Sequence, residues 1–153
     1  MERFLFLFSL LICFESKSQC ERIKKAEKDG NTLYFTDNSR KLQLIKHIIK
    51  KDTIYYLNIK ITDDYLLSNI KGGKVILGAD RVINFPKAEI SIEKNDTFKN
   101  GKYLYSSLVR VKKLDVIYIM AFEVLGFELN IFKGEIDDSS QFSKEIQCFL
   151  KLQ

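Results

Sequence analysis

The stretch that decides the fold is residues 41–62, which read KLQLIKHIIKKDTIYYLNIKIT. In its second half, apolar side chains occupy every second position and so share one face of an extended strand: Tyr55, Leu57, Ile59 and Ile61. The polar triplet Lys50-Lys51-Asp52 interrupts the apolar residues and is typical of a turn. The pattern predicts two antiparallel strands, over residues 41–49 and 53–62, each with one buried face.

Similar short runs of β-branched and aromatic residues fill most of the chain on either side. Asp29-Gly30 predicts a tight hairpin turn, because both residues tolerate a positive φ angle. The glycines in Lys71-Gly72-Gly73-Lys74 and Gly78-Ala79-Asp80-Arg81 predict two more turns. The remaining strands are expected over residues 21–27, 32–36, 75–77, 82–85, 89–93 and 103–111.

The apolar run over residues 117–125 is ambiguous, since periodicity does not separate a buried strand from a buried helix there. Gly126 is followed by apolar residues at alternate positions, Phe127, Leu129 and Ile131. That alternation favours a strand, a turn and a second strand, with a helical turn before them over residues 112–116.

The last segment of the chain has a different period. Phe142, Ile146, Phe149 and Leu150 recur at the spacing of one helical face. Asp138 is a suitable N-cap residue, and Gln141 follows it at the capping-box position. A helix is therefore predicted over about residues 139–151.

Together these elements predict an α+β fold that is mostly β. Its core would be an antiparallel meander of eight or nine strands, either a curled sheet or a small barrel, packed against one C-terminal helix. Pleckstrin-homology-like domains also combine a bent meander with a final helix, although this likeness is one of element order and implies no shared activity. No repeat and no Pro- or Ser-rich linker divides the chain, so residues 19–153 are expected to form a single domain.

The first residues predict an export signal. Residues 1–18 read MERFLFLFSLLICFESKS, and their apolar run over residues 4–14 is shorter than the roughly 20 residues that span a bilayer. Ser16 and Ser18 suit a signal-peptidase site before Gln19. The mature chain would then lack a transmembrane segment and be periplasmic or secreted. A buried N-terminal strand or helix is one alternative. A lipoprotein signal is another, although the small residues that such a signal needs just before its modified cysteine are absent before Cys13 and Cys20.

Cleavage would remove Cys13 and leave Cys20 and Cys148 in an oxidising compartment. On the predicted helix, Cys148 lies roughly 145° from the centre of the apolar stripe, so it is not an obvious core residue. A Cys20–Cys148 disulfide would explain it and would tie the first strand to the last helix. Two free thiols are the alternative.

Composition disfavours several functional classes. The 153 residues include one His, no Trp and three Cys, with a net charge of +5. His47 lies among apolar neighbours without any signature of a nucleophile or an orienting acid. Asp63-Asp64 and Asp137-Asp138 suit turn and helix-cap roles, since a calcium loop needs more oxygen ligands. We predict no catalytic residue, no metal ligand and no cofactor, and the sequence leaves the ligand-binding residues unidentified.

The basic residues are spread over several hairpins, and solvated sheet faces account for them: Lys24, Lys25, Lys46, Lys50, Lys51, Lys60, Lys71, Lys74, Lys112 and Lys113. A basic patch that binds an envelope protein, an acidic glycan or a lipid headgroup is the functional alternative. The predicted export argues against nucleic acid. Lys71-Gly72-Gly73-Lys74 is not a phosphate-binding Walker loop, because that motif is longer and opens a helix.

The chain resembles a group of small secreted β-rich proteins of unknown function from Bacteroidetes-type bacteria. Five features carry the likeness: the signal ending in Ser18-Gln19, Lys28-Asp29-Gly30-Asn31-Thr32, Tyr56-Leu57-Asn58-Ile59-Lys60, Lys71-Gly72-Gly73-Lys74-Val75-Ile76-Leu77 and Gln147-Cys148-Phe149-Leu150. The resemblance implies an exported β-rich domain and supplies no catalytic residues. A non-enzymatic binding module of the bacterial envelope is the expected function. The alternatives are a small periplasmic hydrolase and an inhibitor-like protein that binds by strand addition.

Overall fold

The computed structural model describes residues 20–37, 41–95, 101–136 and 138–152. These residues form ten strands and two helices. The strands are β1 (Lys24–Lys28), β2 (Asn31–Phe35), β3 (Leu42–Ile49), β4 (Asp52–Asp63), β5 (Lys71–Leu77), β6 (Arg81–Glu89), β7 (Ser91–Asn95), β8 (Lys102–Val111), β9 (Val124–Leu129) and β10 (Phe132–Gly134). The helices are α1 (Lys113–Ala121) and α2 (Ser139–Lys151). The predicted signal peptide, its cleavage point and Asp137 lie outside the described residues.

The strands form two antiparallel sheets. The first has six strands in the order β1-β2-β3-β4-β8-β7, and the second has four in the order β10-β9-β5-β6. Each sheet thus keeps two edge strands within the described part of the chain, and neither closes into a barrel. The mostly β, antiparallel prediction is confirmed. The expected single meander of eight or nine strands is instead ten strands in two sheets, and α1 interrupts the simple meander on which the pleckstrin-homology-like element order was based.

The central hairpin forms as its sequence predicts. Tyr55, Leu57, Ile59 and Ile61 are all buried on one face of β4, with exposed fractions of 7% or less. The neighbouring strand β3 brings Leu44 opposite Leu57, so apolar side chains of both strands share the core face. The Asp29-Gly30 turn is also confirmed, because both residues have positive φ angles, 52° and 75°.

Between β6 and β7 the chain passes from the second sheet to the first within a single residue. Strand β6 belongs to the second sheet and β7 to the first, and only Ile90 separates them. The buried hydroxyl of Ser107 on β8 donates a 2.7 Å hydrogen bond to the carbonyl oxygen of Glu89 at this bend. The two sheets therefore face each other across a shared core.

The prediction of a strand over residues 117–125 is wrong, because most of that run forms helix α1. Val116 and Ile119 are buried on one side of the helix. The run is apolar on nearly all sides, which removes the contrast between faces that identifies a surface helix. The strand that follows, β9, begins at Val124 and passes through Gly126, so the turn expected at Gly126 is also wrong.

The turn predicted at Lys71-Gly72-Gly73-Lys74 is wrong as well. These residues begin strand β5, and the register with β6 shifts between Lys71 and Gly73. Gly72 has a φ angle of +91° at the shift. Strand β6 uses three residues, Pro86, Lys87 and Ala88, opposite Gly72 alone, so the glycine lies across from a β-bulge that adds two residues to β6 without ending it.

The C-terminal helix is confirmed over Ser139–Lys151. The carboxylate of Asp138 accepts a 2.9 Å hydrogen bond from the backbone N–H of Gln141, which makes it the N-cap residue. Phe142, Ile146 and Phe149 are fully buried and belong to the same core cluster as residues of both sheets. The helix therefore closes the core that the sheets leave open.

Cys20 and Cys148 form the predicted disulfide, with their Cα atoms 5.5 Å apart. The side chain of Cys148 is only 7% exposed, although it is not part of the core cluster. The bond thus accounts for the burial of a residue that lies off the apolar stripe of α2, and it joins segments 128 residues apart.

Candidate functional site

A cleft of about 850 Å³ opens where the first sheet meets the end of helix α2. Strands β3, β4 and β8, the first residues of α1 and the last turn of α2 supply its walls. We call this the basic cleft, and its lining residues are Lys46, Ile48, Thr53, Ile54, Tyr55, Arg110, Val111, Lys112, Lys113, Leu150 and Leu152. Its volume lies in the range of small-molecule sites.

Lys46 forms the floor of the basic cleft. It lies on the inward face of β3, in line with Leu42 and Leu44, and its exposed fraction is only 5%. Its ammonium group donates a 3.3 Å hydrogen bond to the carbonyl oxygen of Phe149 and a second, shorter one to the carbonyl oxygen of Leu152. Lys46 therefore caps the C-terminal end of α2, where helix carbonyl groups lack partners and the dipole favours a cation.

The position of Lys46 lowers the pKa of its ammonium group. The first cause is burial, which penalises the charged form, and the second is repulsion from the ammonium group of Lys113. Two positive charges thus act on each other in this cleft. An anion between them would relieve that repulsion and return the pKa of Lys46 toward its ordinary value.

Two more cations reach the basic cleft, from the start of α1. Antiparallel pairing places Val111 opposite Tyr55 on the inward face and Arg110 opposite Tyr56 on the outer face, so the end of β8 borders the cleft floor while the Arg110 side chain points away from Lys46. The chain continues directly into Lys112 and Lys113, at the start of α1. Both lysine side chains belong to exposed residues.

No acidic side chain balances these charges among the described residues that line the cleft. The nearest acid along the chain is Asp115, whose carboxylate accepts a 3.0 Å hydrogen bond from the backbone N–H of Lys112. That contact fixes the start of α1 and does not engage the ammonium groups. The basic cleft therefore presents an uncompensated positive field to solvent.

The opposite side of the basic cleft is apolar. Ile48 and Ile54 are half-buried on the sheet, and Leu150 and Leu152 are half-buried at the end of α2. Tyr55 lies between them, 7% exposed, and burial raises the pKa of its phenol group. The site thus combines cationic hydrogen-bond donors with a surface that favours hydrocarbon.

Smaller depressions have less convergent chemistry. One of about 500 Å³ lies between β6 and β8, beside the exposed side chain of Leu108. Another, of about 260 Å³, contains Lys41, Lys60 and Lys133. A third, of about 300 Å³, contains Lys74, whose ammonium group pairs with the carboxylate of Glu128 at 3.0 Å. None of these combines a buried cation with exposed ones, as the basic cleft does.

The structure places the sequence-predicted polar residues apart from the basic cleft. His47 lies on the outer side of β3 between Leu33 and Ile54, and neither of these strand partners carries a carboxylate that could orient an imidazole. Asp63 accepts a 3.0 Å hydrogen bond from the backbone N–H of Tyr65, and Asp64 pairs with Lys102 at 3.5 Å. These contacts are turn and surface contacts.

Two further observations concern the described part of the chain as a whole. No three His, Cys, Asp or Glu side chains within it lie together in a way that could hold a metal ion. Neither of its helices is long and apolar enough to cross a membrane.

The basic cleft is not evident from the sequence, because its lysines are far apart along the chain. One signal was present: Lys46 occupies an inward position in the alternation Leu42, Leu44, Lys46, Ile48. A lysine at a core position of a strand needs polar partners, and here the partners belong to the last helix. The approach of Lys112 and Lys113 depends on the pairing of β4 with β8, which no local pattern contains.

Comparisons of the chain with protein-family models, with curated proteins and with solved structures found no match.

Proposed function

We propose that the protein is an exported, non-enzymatic binding module of the bacterial envelope, and that it binds an anionic ligand in the basic cleft. The observation that carries the proposal is the convergence of three cations from two separate parts of the chain, Lys46 on β3 and the Lys112-Lys113 pair at the start of α1. Like charges in one cleft cost free energy, which an anionic ligand recovers on binding.

The export part of the proposal is supported by the N-terminal signal pattern and by the Cys20–Cys148 bond. Disulfides persist in the periplasm and outside the cell and are rare in the cytosol. The test is expression of the full chain in a Gram-negative host, followed by fractionation and N-terminal sequencing. A periplasmic or medium product that begins at or near Gln19 supports export, whereas an uncleaved cytoplasmic product contradicts it.

The binding part is tested on an array of anionic glycans and lipids. The double variant Lys112→Gln/Lys113→Gln removes two cleft charges from exposed side chains, so it should fold normally and lose binding. Lys24→Gln/Lys28→Gln is the matched control, because it removes the same charge from the exposed strand β1. Equal loss in both variants would show that only net charge matters, and it would overturn the assignment of the site.

Strand addition is the second candidate, since one observation favours it. Strand β1 is an edge of the six-stranded sheet, and all five of its residues are exposed. Four of the five are charged, and charged edges resist pairing with another strand. The backbone N–H of Lys25 points away from β2, so Lys25→Pro would block pairing at this edge while keeping the β1–β2 hairpin; loss of partner binding in that variant, with the basic cleft intact, would favour strand addition over the cleft.

A further inference from the structure

We propose that the ligand of the basic cleft is a single-chain anionic amphiphile, with its charged head at Lys112 and Lys113 and its hydrocarbon chain against the end of helix α2. The inference rests on the proposed function and names the ligand class. It follows from the two unlike walls of the cleft, one cationic and one apolar.

The cationic wall selects the head. The ammonium groups of Lys112 and Lys113 are donors without acceptors, and they line the same cleft as a buried third donor, Lys46. Charge-assisted hydrogen bonds of this kind suit a phosphate or carboxylate group. A neutral head would leave the repulsion between Lys46 and Lys113 in place.

The apolar wall selects the tail. Ile48 on the sheet faces Leu150 and Leu152 at the end of α2 across the same cleft. A free phosphate or an acidic sugar would leave these side chains in contact with water. A hydrocarbon chain would cover them, and each buried methylene group raises affinity about fourfold.

The shape of the site favours a monomeric amphiphile over a bilayer surface. The apolar side chains line a recess of about 850 Å³ instead of projecting from a loop tip. A chain must leave the bilayer to reach a recessed wall, whereas a docking surface would present its apolar side chains outward. We therefore commit to the free, single-chain form.

The experiment measures binding of dodecyl phosphate, at concentrations below micelle formation, to the full chain by isothermal titration calorimetry. Inorganic phosphate tests the head alone, and the neutral dodecyl maltoside tests the chain alone. We expect dodecyl phosphate to bind at least tenfold more tightly than either. Every variant carries the same residues 1–19, so any binding of the probes by those residues is equal in each comparison.

Two pairs of variants assign the walls. Lys112→Gln/Lys113→Gln should weaken dodecyl phosphate binding by roughly tenfold or more, and Lys24→Gln/Lys28→Gln should not. Leu152→Ser should weaken binding by about fourfold or more, and Leu125→Ser, at a side chain that is 55% exposed and outside the cleft, should not. Equal thermal unfolding temperatures for the charge variants and the original chain confirm that the fold is retained.

The possible results separate the two proposals. Inorganic phosphate that binds as tightly as dodecyl phosphate would overturn the amphiphile inference and leave the anion site standing. Binding that is equal for both dodecyl compounds and insensitive to the charge variants would overturn both proposals, as would no binding of any probe. Capture by vesicles of phosphatidylglycerol without binding of monomeric dodecyl phosphate would replace the recess with a bilayer surface.

Discussion

The ammonium group of Lys46 donates a hydrogen bond to the carbonyl oxygen of Phe149, 103 residues further along the chain. This bond connects the middle of the first sheet to the end of helix α2, and it places a cation on the floor of the basic cleft. One lysine thus both joins the first sheet to helix α2 and supplies a positive charge to the basic cleft. Its removal should alter stability and ligand binding together, which makes it the natural first subject for mutation.

Lys46→Met should change how stability depends on pH. The pKa of Lys46 in the folded protein is lowered by burial and by Lys113, so the unfolded chain binds more protons between that lowered value and the ordinary lysine pKa of about 10.4. The free energy of unfolding therefore gains a contribution that rises with pH through this window. Urea unfolding at about pH 7 and about pH 10 measures the effect.

We expect the free energy of unfolding of the original chain to increase, relative to that of Lys46→Met, as the pH rises. The raised pKa of Tyr55 acts in the opposite sense, because stability is lost as the pH rises above about 10. Tyr55 pairs directly with Lys46, so comparing Lys46→Met/Tyr55→Phe with Tyr55→Phe repeats the measurement without the phenol group. Lys113→Gln should raise the pKa of Lys46 and so narrow the pH range over which stability changes. A difference that does not change with pH contradicts the prediction.

Gly134→Ala should destabilise the fold by about 1–3 kcal/mol. A Cβ atom at this position would lie 2.4 Å from Cε2 of Phe127, whose ring is fully buried across the β9–β10 pair. Thermal or urea unfolding measures the loss. Gly78→Ala is the matched control, since its nearest neighbour would be an ordinary 3.8 Å away; equal effects in the two variants would show that the Phe127 contact is not the cause.

Removal of the Cys20–Cys148 bond should lower the free energy of unfolding by about 2–5 kcal/mol, because the bond restricts a loop of 128 residues in the unfolded chain. The double variant Cys20→Ser/Cys148→Ser is compared with Cys13→Ser, which retains the bond. Intact mass before and after reduction provides a direct check. A gain of about 2 Da is expected in the control, and no gain would rule out the bond.

Tyr105→Phe should destabilise the fold by about 1–2 kcal/mol through loss of two buried hydrogen bonds. The Tyr105 hydroxyl donates to the carbonyl oxygen of Tyr65 and accepts from the backbone N–H of Leu67 at 3.0 Å. The amide hydrogen of Leu67 should therefore exchange faster in the variant. Tyr56→Phe, on the outer face of β4, is the control; an unchanged Leu67 exchange rate in Tyr105→Phe would contradict the assigned contact.

The local parts of the fold could be predicted from sequence because their determinants are local. Alternation identified β4, Asp29-Gly30 identified the first hairpin, and the Asp138 cap with its apolar stripe identified α2. Helix α1 was missed since its apolar residues surround it on nearly all sides. The contact of Asp115 with the Lys112 backbone is a helix-start signal that sequence analysis could have used.

The candidate site could not be predicted because it is made by long-range pairing. Tyr55 meets Val111 only when β4 pairs with β8, and Lys46 reaches the end of α2 only when the core has closed. Neither relationship leaves a spacing in the sequence. The disulfide could be predicted because compartment and cysteine count constrain it independently of topology.

The bond between Cys20 and Cys148 also sets an order of events during biosynthesis. Ribosomes make a chain from its N-terminus, so the partner of Cys20 appears only after all ten described strands have been made. The Cys20 thiol therefore has no partner at residue 148 until α2 has been synthesised. A prematurely terminated chain that lacks α2 cannot form the bond. The presence of the disulfide therefore shows that the chain was synthesised at least as far as residue 148.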